Sequence, residues 1–283
     1  MQTHTLALPA VDLVYDVREG AGERPLLMIG QPMTADGFTA LAEHFTDRTV
    51  VTYDPRGLGR SVRKDGRADL NPYDQAEDLH ALIERLGPVD VFASSGGAVT
   101  ALELVAKHPA DVHTLVAHEP PINAVLPDAA AAARARAFFN DAYEAKGAGA
   151  GMAAFIVMTS WQGEFTDEFF ARPAPDPAMF GMPAGDDGNR DDPLLSKRAW
   201  AIIDFEPDVA ALTAASTRIV VAVGEESAGT YTARTAQGLA ELLGQEPTVF
   251  PSHHGGFVGG DSGYAGKPAE FAAKLREVLK APE

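Results

Sequence analysis

The sequence predicts an α/β protein: a mostly parallel central sheet, helices on both of its faces, and a helical insertion late in the chain. Three observations carry that expectation. Short apolar runs alternate with helical periodicity from about residue 11 to residue 117, the alternation stops at Pro120-Pro121, and it resumes at about residue 218. Parallel strands need crossovers of a dozen or more residues, and a helix packed back on the sheet supplies them.

The elements follow in order. Val11–Val17 and Leu26–Ile29 read as strands, and the β-branched run Thr49–Tyr53 (TVVTY) reads as a third, bounded by Asp and Pro. Between the last two, Phe38, Leu41 and Phe45 give Ala35–Phe45 a helical spacing. Pro72–Leu86 repeats that spacing with Leu79, Leu82, Ile83 and Leu86, and stops at Gly87-Pro88. Val89–Ala93 is the next strand, Gly97–Lys107 a helix ended by His108-Pro109, and Val112–Ala117 a further strand.

Beyond Pro121 the pattern is helical and without strands. Ala129–Lys146, Gly151–Trp161 and Leu194–Phe205 are expected as helices, and the Pro-, Gly- and Asp-rich stretch from Ala171 to Pro193 as a long loop. Arg218–Val223 and Thr248–Phe250 then read as strands, Thr230–Leu243 and Pro268–Leu279 as helices. The expected organisation is a core in two parts, residues 1–120 and 207–283, interrupted by a helical cap or lid at 121–206. A chain of 283 residues suits one large domain with an inserted lobe.

Composition narrows the partners. With 23 basic and 40 acidic residues the net charge is −17, a field that repels phosphate backbones and anionic lipid, so neither nucleic acid nor membrane is expected. The expected partner is a small-molecule substrate; nothing in the residues speaks to oligomeric state. The absence of cysteine excludes disulfides, thiolate metal sites and cysteine nucleophiles. The first residues, MQTHTLALPAVDLVYDV, lack the basic start and apolar run of a signal peptide, and no stretch approaches the roughly 20 apolar residues of a membrane span. A cytoplasmic location is the default expectation. Asp186, Asp187, Asp191 and Asp192 lack the ligand order of a metal loop, so no metal and no cofactor is expected.

The chemistry concentrates at Ala93-Ser94-Ser95-Gly96-Gly97, between an expected strand and an expected helix. A serine on so tight a turn needs small neighbours two positions to either side. Ser95 has Ala93 and Gly97, a variant of the G-x-S-x-G nucleophile elbow, whereas Ser94 would have Phe92. The following helix would point its unpaired N–H groups at an oxyanion.

Tyr53-Asp54-Pro55-Arg56-Gly57-Leu58-Gly59-Arg60-Ser61 resembles the D-x-R-G-x-G-x-S turn of α/β-hydrolase-fold enzymes. With the elbow and a late histidine, the resemblance runs from about Val11 to Leu279 and is weakest in the lid. It implies an α/β-hydrolase fold and serine-esterase-like activity, with Asp54 and Arg56 holding a structural turn. It also implies a histidine base after the last strand. There, Pro251-Ser252-His253-His254-Gly255-Gly256-Phe257 offers His253 and His254, and the family's P-G-x-H-x-G-F form selects His254.

The same resemblance implies oxyanion donors at Gly96 and at Gln31, in Ile29-Gly30-Gln31-Pro32, where this chain has Ile29 in place of the family's histidine. Pro32 has no N–H to give. At the position three residues after Gly224, where the family carries its aspartate, this chain has Ser227. Glu119, at the end of the preceding strand, whose loop faces the same end of the sheet as the elbow, is the expected acid, with Glu226 (or its neighbour Glu225) from the same loop as Ser227 as the alternative. Some family members, a subgroup of haloalkane dehalogenases among them, are similar in keeping their acid after that earlier strand.

Phe155, Met158 and Trp161 of the aromatic lid, with Phe257, are expected to contact substrate. The leading expectation is a serine hydrolase cleaving a carboxylic ester, lactone or thioester of a small apolar substrate through an acyl-enzyme on Ser95. A lyase, cyclase or C–C bond hydrolase, and a non-catalytic ligand-binding protein, are the alternatives.

Overall fold

The apolar runs read from the sequence pair into one sheet in the computed structural model, which describes residues 1–22, 24–260 and 263–280. Along the chain lie β1 (Gln2–Ala7), β2 (Val11–Arg18), β3 (Leu26–Ile29), α1 (Thr39–Ala42), β4 (Val50–Tyr53), β5 (Val62–Arg63), α2 (Pro72–Leu86), β6 (Val89–Ser94), α3 (Gly96–Lys107) and β7 (Val112–His118). The insertion contributes α4 (Ala129–Lys146), α5 (Ala148–Ser160), α6 (Asp167–Phe170) and α7 (Trp200–Ile203). The chain then returns through α8 (Val209–Ala214), β8 (Arg218–Gly224), α9 (Tyr231–Leu242), β9 (Thr248–Phe250) and α10 (Pro268–Lys280).

The strands order as β1-β2-β4-β3-β6-β7-β8-β9, with β5 paired to β2. From β4 to β9 every pairing is parallel; β1–β2, β2–β4 and β2–β5 are antiparallel. The chain winds outward in one direction from β3 to β4 and in the other from β6 onward. The crevice between the carboxyl ends of β3 and β6 is therefore the topological switch point, where open α/β sheets place their ligands.

Side-chain alternation along the central strands fills two cores. Leu27, Ile29, Val91, Ala93, Leu115 and Ala117 face α2, α3 and α9. Leu26, Met28, Phe92 and Val116 face α1 and α10 with Phe38, Phe250 and Phe271. Strands buried on both faces read as nearly unbroken apolar runs, which is why β3, β4, β6 and β7 were visible from sequence. The insertion has a cluster of its own, around Phe139, Tyr143, Met158, Phe165 and Phe169.

Four local expectations change. β1 went unread because it is an edge strand with one buried residue, Leu6, and so little apolar signal. Leu194–Phe205 forms no continuous helix: Asp192 Oδ1 accepts the Leu194 and Leu195 N–H groups at 2.8 and 2.9 Å, and Ser196 caps a 3₁₀ turn before the four-residue α7. Such local side-chain bonds compete with the helical ladder. Ala35–Phe45 divides into a 3₁₀ turn and the short α1. The unforeseen α8 is capped by Asp208, whose carboxylate accepts the Ala211 N–H at 2.9 Å. No described helix is long and apolar enough to cross a membrane.

Candidate active site

β6 and β7 pair with Ser94 opposite His118, so the next residues, Ser95 and Glu119, leave the sheet side by side. Both adopt backbone angles that L-residues avoid, φ 57° and 47°, and Ser252 after β9 is a third at 71°. Among the described residues these are the non-glycine positions with positive φ. Each costs on the order of 1–2 kcal/mol, which neighbouring structure must offset. All three lie beyond the carboxyl ends of strands at one end of the sheet.

The elbow depends on its glycines. A Cβ on Gly97 would lie 2.6 Å from the Ile29 carbonyl oxygen and 2.7 Å from the Gly30 Cα, so helix α3 can approach β3 only with hydrogen there. A Cβ on Gly96 would meet the Gln31 carbonyl oxygen at 3.0 Å and the Gln31 Cβ at 3.2 Å. The two expected donor segments are thus in contact, at the switch point. Gln31 is buried, and neither its side-chain oxygen nor its nitrogen has a hydrogen-bond partner.

Glu119 is fully buried. Its Oε1 accepts the Gly224 N–H at 2.9 Å; its Oε2 accepts the Thr232 hydroxyl at 2.7 Å and lies 2.6 Å from His254 Nδ1. Burial alone would raise this carboxyl's pKa, but the hydrogen bond and charge of His254, with the Gly224 N–H, hold it well below the usual carboxylate range. An ionised carboxylate only accepts hydrogen bonds, so His254 Nδ1 donates to Glu119, which leaves Nε2 as the ring nitrogen not engaged by the carboxylate. Gly224 must also be glycine: a Cβ there would lie 2.7 Å from the Ser252 carbonyl oxygen.

The other candidates point elsewhere. Glu226 pairs with Lys267 at 2.6 Å, and Glu225 accepts the Ser252 N–H at 3.2 Å. His253 is locked by its own loop, with Nδ1 accepting the Gly255 N–H at 3.1 Å and the ring against Tyr264. Among the described residues no hydrogen bond joins the Ser95 hydroxyl to His254. His118 links them instead: its carbonyl accepts the Ser95 N–H at 3.0 Å, and its ring stacks on His254 with centroids 5.9 Å apart. Enclosed by Phe92, Phe250, Phe257 and Phe271, His118 is pushed down by burial to a pKa of about 4 and is therefore neutral.

A sequence profile described as the alpha/beta hydrolase family matches residues 26–273. The chain belongs to the alpha/beta hydrolase family. It is similar to a protein named "Uncharacterized hydrolase YraK" from Bacillus subtilis (strain 168), at 29% identity over 279 residues, 98% of this chain and 95% of that one. Its fold is similar to that of an esterase from Exiguobacterium antarcticum, with TM-score 0.69 and 18% identity over 99% of this chain and 100% of the other. It is also similar to that of proline iminopeptidase from Mycobacterium smegmatis, with TM-score 0.63 and 21% identity over 98% and 97%. The expected enzyme class, a hydrolase, accords with this membership.

The family's turn after β4 holds the site from below. Asp54 accepts the Ala35 and Arg60 N–H groups at 2.9 and 2.8 Å, which ties the turn to the segment following Gln31. Arg56 is buried in a two-pronged pair with Asp78, both bonds 2.6 Å. Among the acidic residues of the 171–193 loop, Asp186 pairs with Arg190 at 2.7 Å and Asp187 accepts the Asn189 N–H at 2.9 Å.

The expected substrate contacts pack against neighbouring apolar and aromatic side chains. Met158 and Phe257 are 3% and 1% exposed and are packing residues, Phe257 lying between Phe38, Phe92 and Phe271. Phe155 and Trp161 pack edge-on against Phe139 and Phe169. A cavity of about 360 Å³ does open in the insertion, but Phe138, Asp141, Lys146 and Pro177 line it and none of those four does. Ile202 of α7 reaches the elbow, its Cγ2 3.1 Å from where a Gly96 Cβ would stand. Sequence reasoning missed Ile202, and it missed Thr232, 113 residues from Glu119 in the first turn of α9.

Proposed function

We propose that this protein is a serine hydrolase that cleaves a carboxylic ester, lactone or thioester of a small apolar substrate through an acyl-enzyme on Ser95. The observation that carries the reading is the 2.6 Å contact of buried Glu119 with His254 Nδ1, which fills the place left by Ser227. A charged carboxylate behind an imidazole fixes its tautomer and stabilises the imidazolium that forms when it takes a proton.

In this mechanism Ser95 Oγ attacks the substrate carbonyl carbon as its proton passes to His254 Nε2. The N–H groups of Gly96 and Gln31 bind the tetrahedral oxyanion. Collapse breaks the bond to the leaving alcohol or thiol, which receives the proton from His254. Water then attacks the acyl-enzyme, gives its proton to the same nitrogen, and releases the acid and free Ser95. In this reading the serine–imidazole hydrogen bond forms when substrate binds, since catalytic hydrogen bonds commonly tighten only in the substrate complex. The insertion acts as the lid of this site: Ile202 over the elbow and the aromatic packing behind it favour an apolar acyl group.

Turnover of short p-nitrophenyl esters and thioesters tests the reading. The wild type is expected to show a burst followed by steady turnover, and Ser95→Ala to lose at least about a thousandfold in kcat. Equal turnover by Ser95→Ala, or none by the wild type on esters, thioesters and lactones, contradicts it.

A further inference from the structure

At the opposite end of the sheet, where β7 begins, two helices and a loop bring together a second group of chemistry-bearing side chains. His80 lies in α2, His108 is the C-cap of α3, and Asp111 sits in the turn that leads into β7. One donor atom from each of His80, His108 and Asp111 lies within 4.8 Å of the other two. His80 Nδ1 is 2.7 Å from Asp111 Oδ2, and the two imidazoles stack face to face, with centroids 3.7 Å apart and planes 7° from parallel. Glu77 Oε1 stands 3.2 Å from His108 Nε2, and Glu84 Oε1 3.9 Å from His80 Nε2.

We propose that His80, His108 and Asp111 form a binding site for a divalent ion of zinc-like softness, which clamps α2, α3 and the start of β7 together. The donor set is the one such an ion selects: two imidazole nitrogens and a carboxylate oxygen, with no thiolate. Glu77 is the nearest carboxylate for the fourth position of a tetrahedron. Glu77, Glu84 and Asp111 bring three carboxylates to the pair, and Lys107, 3.9 Å from Glu77, is engaged more closely by Glu103 at 3.0 Å. Among the described residues no lysine or arginine pairs with Asp111. A net charge of −17 adds a field that concentrates cations at such a point.

Zinc–ligand bonds of about 2.0–2.2 Å require donors roughly 3.3–3.6 Å apart. The His80–Asp111 pair, at 2.7 Å, must therefore open by somewhat under about 1 Å, and one ring must tilt out of the stack so that both lone pairs converge. The side chains of His80 and Asp111 are 30% and 15% exposed and that of His108 is 24%, which leaves them room to do so.

Calorimetric titration of chelator-treated protein with Zn²⁺ tests the site. One equivalent is expected to bind, and at a hundredfold excess over Kd the thermal midpoint rises by about 5 °C. His80→Gln and His108→Gln should each weaken binding at least about tenfold, whereas His44→Gln should not change it. Co²⁺ should broaden the imidazole NMR signals of His80 and His108 in the wild-type protein, a readout that needs no variant to fold. Absence of saturable binding below about 100 μM, unchanged affinity in both variants, or broadening confined to other histidines overturns the proposal.

Discussion

The carboxyl ends of β6, β7 and β9 and the helical insertion above them are built in contrasting ways. At the strand ends, backbone and hydrogen bonds fix every group: Ser95, Glu119 and Ser252 sit in strained conformations, and Glu119 is held from three sides at 2.6 to 2.9 Å. The insertion is held by apolar and aromatic packing, through short helices and a Pro- and Gly-rich loop. Strain confined to one end of a rigid sheet preserves the geometry that bond cleavage needs. The insertion's polar ties, among them Arg136 to Asp204 at 2.6 Å and Asn140 Nδ2 to the Leu195 carbonyl at 3.0 Å, join its segments to one another. Substitutions at the strand ends should therefore alter the chemical step, and substitutions in the insertion should alter selectivity.

The largest expected effect is at Glu119. Glu119→Gln should lower kcat on p-nitrophenyl acetate by about 10³–10⁴-fold with little change in KM, because the neutral amide no longer fixes the Nδ1–H tautomer. A loss below about tenfold would break the contrast at its centre.

His118 tests the rigidity of the strand ends through pH. Burial lowers its folded pKa from 6.5 to about 4. The unfolded chain therefore takes up the proton first, and stability falls as the pH drops through that window. Between about pH 7.5 and pH 5 this amounts to roughly 2 kcal/mol. Urea unfolding of His118→Phe should show a correspondingly shallower loss over that range. The depressed pKa of Glu119 acts in a lower window: its contribution is complete above the ordinary 4.5 and is lost as the pH falls below it, so the two are separable.

In the insertion, Ile202→Ala should shift the preference among acyl chain lengths by roughly 10- to 200-fold in kcat/KM, the effect of about one methylene of substrate in an apolar pocket. It should leave acetate turnover nearly constant. A uniform collapse across all chain lengths would place Ile202 with the strand ends instead. The smallest effect is expected at Glu226, whose side chain pairs with Lys267 at the surface: Glu226→Gln should stay within about twofold of wild type in kcat.

What could be read in the sequence follows the same division. β3, β4, β6 and β7 announced themselves because burial on both faces demands continuous apolar runs. Ala93, Gly97 and Gly224 mark places where only hydrogen or a methyl group is small enough, and that constraint is local to the chain. Glu119 was the preferred acid because Ser227 left the usual acid position empty and the end of β7 faces the elbow; the register that sets β7 beside β6 is what brings its carboxylate to His254. Thr232 looked like any threonine in a first helical turn, since its partner is brought by the sheet and not by proximity in sequence. Phe155 and Trp161 were harder to place for a related reason: an aromatic side chain looks the same in sequence whether it packs inside a lobe, as Phe139 and Phe169 do, or faces a ligand. His80 and His108, on separate helices 28 residues apart, gave no local pattern at all.

The most direct test is the site of covalent modification by a fluorophosphonate, mapped by peptide mass spectrometry. The account predicts a single adduct on Ser95, formed rapidly in the wild type and in Glu226→Gln, much more slowly in Glu119→Gln, and absent from Ser95→Ala. An unmodified Ser95, or an adduct on another residue formed at the same rate in Ser95→Ala, would contradict it.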